Sequence, residues 1–192
     1  MKTLLMLSLI LIPNLAFAGA TISFESSSDT SDPFGVTAVG DTNQAVSFVA
    51  TTNAIAAIPT LCVFKSGSPA DSAKISLQAN SAGVPSGSDL GSVTILGSSL
   101  GTSCTTASSL GTITATLTSG TTYWLVAGRT GAVDGSNFYR WNTKVTGSTS
   151  RTYTYNGTSW TICTAGANCN GEYLYGSLLL SSTYQLWSMS VF

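Results

Sequence analysis

The chain has 192 residues, of which only 8% are charged, and its formal net charge is −1. Ordinary soluble domains carry about 25% charged residues, so serine and threonine, about three tenths of this chain, must supply most of its surface polarity. This composition argues against a nucleic-acid partner, because there is no basic patch to neutralise phosphates. The chain also lacks histidine, which excludes Ser-His-Asp and Cys-His catalysis and histidine-ligated metal sites.

The first 18 residues predict a secretory signal peptide. Lys2 gives a positive start, residues 4–15 form an apolar run too short to span a bilayer, and residues 16–18 are a small-x-small cleavage site. Residues 19–192 are then expected to form a single β-sandwich domain. The expected location is secreted, extracellular or at the cell surface, with no membrane span after signal cleavage.

Short segments with strand-like alternation or apolar runs follow one another along the rest of the chain. They are residues 21–24, 44–50, 53–64, 73–79, 90–96, 112–126, 137–141, 151–163, 172–180 and 183–192. Residues 26–33, 80–89 and 97–109 are polar and are expected to be loops. Since no segment sustains a 3.6-residue period, the fold class predicted is all-β: a jelly-roll-like antiparallel β-sandwich of about a dozen strands, stabilised by disulfides.

Residues 117–126 are predicted to form a central hairpin. Before them, Ile113, Ala115 and Leu117 alternate with threonines, which is typical of a half-buried strand. Ser119-Gly120 indicates a tight turn, and the unbroken apolar run 123–126 predicts a strand covered on both faces. A second hairpin is predicted at Asn156-Gly157, because this pair favours a tight turn between strands.

Four cysteines lie beyond the signal peptide: Cys62, Cys104, Cys163 and Cys169. An even number of cysteines in an exported chain favours two disulfides, for which three connectivities are possible. We expect Cys62–Cys104 and Cys163–Cys169, because only five residues separate the last two cysteines. The alternative, a zinc ion held by all four thiolates, lacks the usual paired CxxC spacing.

Four stretches resemble the choice-of-anchor group of bacterial extracellular domains: residues 45–49, 55–64, 74–87 and 117–126. The third contains a Gly-Val-Pro-Ser-Gly turn (residues 83–87), and the fourth a Leu-x-x-Gly-Thr-Thr-Tyr-Trp strand entry. The resemblance covers about residues 41–160. It implies a secreted or surface-displayed jelly-roll-like module that is usually followed by a C-terminal anchoring signal. No sorting motif or terminal apolar helix with a basic tail follows Trp160, so release or assembly with other subunits is expected here.

The eight carboxylates do not form a recognisable catalytic pattern, and we expect no enzymatic activity. A glycosidase built on two of them is the remaining catalytic alternative. A structural calcium ion is conceivable at Asp29, Asp32 and Asp41, or at Asp134 with neighbouring carbonyls. Because aspartates in Gly/Ser-rich segments commonly cap turns, turn capping is preferred, and neither a cofactor nor a metal site is expected.

The predicted function is that of a non-catalytic structural component of a surface, matrix or appendage. Its partners would be copies of itself or other extracellular subunits. The alternative is a carbohydrate-binding module in which exposed aromatic rings stack on glycans, and the candidate rings are Tyr139, Trp141, Tyr155 and Trp160. Packing of these rings in the core or across a hairpin is the competing interpretation.

Overall fold

The computed structural model describes residues 19–36, 41–146, 152–163 and 173–182, and in these ranges the chain is all-β, as predicted. In chain order the strands are β1 (Ala20–Ser23), β2 (Thr30–Phe34), β3 (Asn43–Val49), β4 (Ala54–Leu61), β5 (Val63–Ser66), β6 (Ser72–Ser81), β7 (Val84–Leu96), β8 (Ser108–Ser109), β9 (Ile113–Leu117), β10 (Thr122–Arg129), β11 (Phe138–Lys144), β12 (Thr152–Tyr155), β13 (Trp160–Ile162), β14 (Tyr173–Leu174) and β15 (Gly176–Ser181). The predicted signal peptide and the predicted strand at residues 183–192 lie outside the described residues.

The strands form three antiparallel sheets. A six-stranded sheet has the order β13-β12-β3-β10-β6-β7, a five-stranded sheet has the order β1-β15-β4-β8 with β9 also on β4, and a four-stranded sheet has the order β14-β11-β2 with β5 also on β11. The two smaller sheets adjoin, since the Asn142 amide donates to the Cys62 carbonyl at 3.0 Å and the Tyr175 amide to the Asn142 carbonyl at 3.1 Å. The predicted packing of antiparallel sheets is confirmed.

One large hydrophobic core collects side chains from all three sheets. The alternation predicted for β9 is confirmed, because Ile113, Ala115 and Leu117 are buried while the threonines between them are exposed. In the core, the Phe34 ring lies 5.8 Å from that of Tyr139 and 6.1 Å from that of Trp141. Burying a large apolar side chain such as Phe34 contributes about 1.5–3 kcal/mol to folding.

The predicted hairpin at residues 117–126 is wrong, although its turn and its strands are present. The Thr121 amide donates to the Thr118 carbonyl at 3.2 Å, and Gly120 has a φ of 79°, so the turn lies where expected. However, β9 pairs with β4 in the five-stranded sheet, whereas β10 pairs with β3 and β6 in the six-stranded one. The chain crosses between sheets here, because alternation specifies which face of a strand is buried and not which strand lies beside it.

The second strand of this crossing has the predicted central position. β10 lies between β3 and β6, and its residues from Tyr123 to Gly128 are buried. Tyr123 and Leu125 belong to the main core, while Trp124 and Val126 belong to a second cluster on the other face of the sheet. The prediction that the unbroken apolar run 123–126 forms a strand covered on both faces is therefore confirmed.

All three predicted loops contain strand residues. β2 begins inside the segment 26–33 and ends one residue after it, β7 begins six residues earlier than the predicted strand 90–96, and the short strand β8 lies at the end of the segment 97–109. Asp32 and Pro33 suggested a loop, yet β2 pairs only with β11. As an edge strand it does not need an amide hydrogen from every residue, so it tolerates proline.

The predicted disulfide between Cys62 and Cys104 is confirmed, with the two Cα atoms 5.6 Å apart. A zinc site built from all four thiolates is therefore wrong, because two of them are joined to each other. Cys163 is also disulfide-bonded, whereas Cys169, its expected partner, lies outside the described residues. In the part of the chain that the structure describes, no helix is long and apolar enough to cross a membrane.

Candidate functional site

The four aromatic residues proposed from the sequence as a binding surface do not lie together. Tyr139 and Trp141 on β11 are both 0% exposed and pack in the main core. They cannot present a ring face to a ligand, so including them in a carbohydrate site was wrong. The sequence placed them near the surface only because loops flank β11. Tyr155 and Trp160 are half-buried on the outer face of the six-stranded sheet.

Tyr155 and Trp160 line a surface groove of about 400 Å³. We call it the aromatic groove; its other lining residues are Asn43, Gln78 and the segment from Pro85 to Gly87. Its volume lies within the range of about 300–1,000 Å³ that is usual for small-molecule sites. Because the lining comes from five strands of one sheet, the groove lies on a rigid surface.

The aromatic wall of the groove is set by the Asn156-Gly157 turn, which confirms the second predicted hairpin. The Asn156 side-chain oxygen accepts hydrogen bonds from the amides of Thr158 and Ser159, each at 2.9 Å. Gly157 has a φ of 91°, which favours glycine. The resulting register places Tyr155 opposite Trp160, with ring centroids 5.1 Å apart and planes tilted by 37°.

A second apolar cluster supports this wall from below. Ala45, Trp124 and Val126 are buried on the outer face of the sheet, and Tyr153 and Trp160 pack against them. The rings of Trp124 and Tyr153 meet edge to face at 4.9 Å, a favourable geometry for aromatic pairs. Trp160 is thus held from one side while remaining partly exposed on the other.

The opposite wall is a bulge in β7. Gln78 pairs with Asp89 but Asn80 pairs with Pro85, so β7 has extra residues between these two positions. The Gly87 amide donates to Gln78 Oε1 at 2.9 Å, and Gln78 Nε2 donates to Asp89 Oδ1 at 3.0 Å. These bonds hold the bulge over the outer face of the sheet, next to the groove.

The floor of the groove carries an amide with unused hydrogen-bonding capacity. Asn43 is half-buried and lies beside Tyr155 in the sheet register. A Cβ atom at Gly128 would come within 2.7 Å of Asn43 Nδ2, so the absence of a side chain at Gly128 makes room for this amide. Among the described residues, the Asn43 side chain has no hydrogen-bond partner. It therefore offers two N–H donors and a carbonyl acceptor to a ligand.

The groove lining contains no charged side chain among the described residues. Asp89, which accepts a hydrogen bond from the lining residue Gln78, forms an ion pair with Lys74. Partial burial alone would raise the pKa of Asp89, but hydrogen bonds from Lys74, Ser76 and Gln78 outweigh it and lower that pKa. Asp89 is therefore ionised at neutral pH and its charge is balanced by Lys74.

A polar cluster that the sequence did not reveal surrounds Asp71. Its carboxylate accepts two hydrogen bonds from Arg129, at 2.7 and 2.6 Å, and a third from the Gly131 amide at 2.7 Å. Arg129 also donates to the carbonyls of Gly35 and Asn137. The two charges balance each other and join three loops, so the cluster is structural. No sequence signal pairs residues 58 positions apart.

The Asp71 cluster also shifts the pKa of its members. Partial burial would raise the pKa of Asp71, but hydrogen bonds from Arg129 and Gly131 dominate and the pKa is lowered. Burial and the negative charge of Asp71 raise the pKa of Tyr139 to about 12. The Tyr139 hydroxyl donates to the Asp71 carbonyl at 2.7 Å. Tyr139 is therefore a neutral hydrogen-bond donor at any physiological pH, not an acid or base.

The aspartates considered for calcium have other roles. Asp134 caps its own loop by accepting hydrogen bonds from the Ser136 amide and the Asn137 side chain, as turn capping predicts. Asp29 accepts from the Val145 amide, Asp32 from the Thr152 hydroxyl, and Asp41 from the Thr154 hydroxyl. Within the described ranges, no three acidic, cysteine or histidine side chains come together as a metal site.

Asp41 leads to a prediction about pH. Burial raises its pKa, and the hydrogen bond from Thr154 offsets this only in part; its second carboxylate oxygen is buried without a partner among the described residues. The native state then holds the Asp41 proton more tightly than the unfolded chain, so the Asp41 contribution to stability should fall as pH rises above about 4.

We expect the substitution Asp41→Asn to remove this contribution. Urea unfolding of both proteins at pH 3 and pH 7 measures it. The free energy of unfolding of the variant minus that of the wild type should be larger at pH 7 than at pH 3. A difference between the two proteins that does not change with pH would contradict the assignment.

Comparison with protein-family models, curated proteins and solved structures finds no match for this chain. The resemblance to choice-of-anchor domains therefore stays a prediction.

Proposed function

We propose that this chain is an exported, non-catalytic β-sandwich that serves as a structural component outside the cytoplasm and attaches to extracellular material through the aromatic groove. The observation that carries the proposal is the groove itself. It combines two partly exposed aromatic rings, Tyr155 and Trp160, with the unpartnered amide of Asn43 on a rigid sheet. A site of this kind binds without carrying out chemistry.

Export is supported by composition and by the disulfide. A bond between Cys62 and Cys104 persists in oxidising compartments and is rare in the cytosol. The apolar start of the chain followed by a small-x-small site fits the same route. A surface rich in hydroxyl groups and nearly free of net charge suits a matrix or surface layer.

The role as a non-catalytic protein is supported by how the carboxylates are used. Asp71 and Asp89 form ion pairs, and Asp134 caps a turn. Asp41 is fully buried and is not accessible to a substrate. Each of these groups therefore has a structural partner or lies inside the protein, and none of them lines the groove.

A co-sedimentation experiment tests the proposed function. The full chain is mixed with washed envelope and matrix material from the cells that produce it, and the bound fraction is measured after centrifugation. We expect the wild type to sediment and Trp160→Ala to release at least tenfold more protein into the supernatant, since the indole forms much of the groove wall.

Val49→Ala is the matched control, because Val49 is exposed on β3, the strand that carries Asn43. This variant should sediment like the wild type. A wild-type protein that stays in the supernatant would contradict attachment, and equal sedimentation of Trp160→Ala would place the contact elsewhere. Circular dichroism confirms that each variant is folded.

A further inference from the structure

The chemistry of the aromatic groove identifies a class of ligand. Resting on the function proposed above, we infer that the groove binds an uncharged carbohydrate chain, with Tyr155 and Trp160 contacting the C–H faces of the sugar rings and Asn43 binding their hydroxyl groups. Gln78 and the β7 bulge form the wall that limits which sugars enter.

The aromatic pair fits the apolar faces of a pyranose. An aromatic ring has a negative face, which attracts the weakly positive C–H groups of a sugar. Trp160 packs against the cluster of Ala45, Trp124 and Val126, and Tyr155 lies opposite Trp160 in the hairpin. Because both rings are held by the sheet, little conformational entropy is lost when a ligand stacks on them.

The amides fit the hydroxyl groups. A sugar hydroxyl both donates and accepts, and a carboxamide does the same, so one Asn side chain can bind two neighbouring hydroxyls. The Asn43 side chain makes no hydrogen bond to the described residues, so both its donor and its acceptor are available to a ligand. Gln78 is held in place by its hydrogen bonds to Gly87 and Asp89. Because the Asn43 amide uses none of its hydrogen bonds within the described residues and is partly exposed, it can bind a polar ligand without breaking a bond in the protein.

Charge restricts the ligand to neutral sugars. The described lining offers no lysine or arginine, and the nearby Lys74 is already paired with Asp89. An anionic polymer such as a uronic acid chain would find no unpaired cation in the described lining to balance its charge. A neutral polysaccharide needs no such cation.

A proline-rich peptide is the other polymer that binds Tyr/Trp grooves, and the floor of this groove argues against it. Grooves for polyproline helices are lined by aromatic side chains and take up apolar proline rings. Here the Asn43 amide is a polar part of the surface between the walls. A proline ring would cover this amide without offering it a hydrogen bond, which is unfavourable.

Affinity electrophoresis of the full chain tests the inference. The gels contain hydroxyethylcellulose, arabinoxylan, dextran or galactomannan as neutral polymers, and polygalacturonate or poly-L-proline as the competing classes. We expect at least one neutral polymer to slow the wild type, and Trp160→Ala and Asn43→Ala each to weaken that binding at least tenfold. Val49→Ala should migrate like the wild type.

Asn43→Ala keeps the test decisive should Trp160→Ala fail to fold, because the Asn43 side chain makes no hydrogen bond to the described residues and the substitution leaves its backbone pairing with β12 in place. The inference is overturned when no neutral polymer slows the wild type, when both variants bind normally, or when polygalacturonate or poly-L-proline binds better. If groove-dependent co-sedimentation persists without binding to any neutral polymer, the ligand class is wrong while the proposed function stands.

Discussion

Replacing Cys62 and Cys104 with alanine is expected to lower the free energy of unfolding by about 4 kcal/mol. The disulfide closes a loop of sequence separation 42, and on the chain-entropy model a loop of this length restricts the unfolded chain by about that much. Since the total stability of a small domain is about 5–15 kcal/mol, the loss should be visible as a large fall in the urea midpoint.

The position of the disulfide explains why the loop it holds matters to the fold. Cys62 is buried between β4 and β5, where the five- and four-stranded sheets adjoin. Asn142 donates to the Cys104 carbonyl at 3.2 Å, so the loop is also tied to β11. Releasing Cys104 therefore removes one of several links between this connection and the sheets, which also include the hydrogen bond from the Lys65 amide to the Gly101 carbonyl and the pairing of β8 with β4.

Single variants separate loop closure from side-chain packing. Either Cys62→Ala or Cys104→Ala opens the loop completely, so each alone should cost nearly as much as the double variant. If the loss of stability in the double variant instead equals the sum of the losses in the two single variants, the two substitutions act through independent packing effects. Ser103→Ala in the same loop, which is exposed, serves as a control and should change stability by less than about 0.5 kcal/mol.

The sequence predicted the elements of this fold better than their partners. Ile113, Ala115 and Leu117 were correctly oriented toward the core, and the Asn156-Gly157 hairpin was correctly located. Both depend on patterns within about ten residues. The crossing between β9 and β10 was interpreted as a hairpin because sheet membership depends on β3, β4 and β6, which lie 30 or more residues away in the chain.

The candidate site was only half predictable for the same reason. Aromatic residues near loops indicated a binding surface, yet Trp141 lies in the core and Trp160 on the outer face. No sequence pattern distinguished Asn43 and Gln78, because the role of a single amide side chain depends on which residues lie beside it in the folded structure. The β7 bulge opposite Gln78 arises from a register shift that local patterns do not encode.

Replacing Asp71 with asparagine is expected to be the other strongly destabilising change, with a loss of about 3–5 kcal/mol. Its ion pair with Arg129 is nearly enclosed, since the two side chains are 16% and 7% exposed. Removing one charge from a buried pair leaves the other without compensation, which costs more than the pair itself contributes. Urea unfolding at pH 7 measures the loss.

An exposed ion pair on the same protein provides the matched control. Lys74 and Asp89 also form a bridge, but their side chains are 37% and 27% exposed. Surface pairs contribute about 0–1 kcal/mol, so Lys74→Ala should have a small effect. Losses of similar size in Asp71→Asn and Lys74→Ala would contradict the view that burial makes the Asp71–Arg129 pair important.

The pH dependence gives the Asp71 prediction a second measurement. Because the native pKa of Asp71 is lowered by Arg129 and Gly131, the native state releases this proton more readily than the unfolded chain. The stabilisation is therefore complete above the unfolded pKa of about 3.9 and is lost as pH falls through the lower native value. The difference in stability between the wild type and Asp71→Asn should shrink below pH 4, and a constant difference from pH 2 to pH 7 would mean that the carboxylate charge is not what stabilises the cluster.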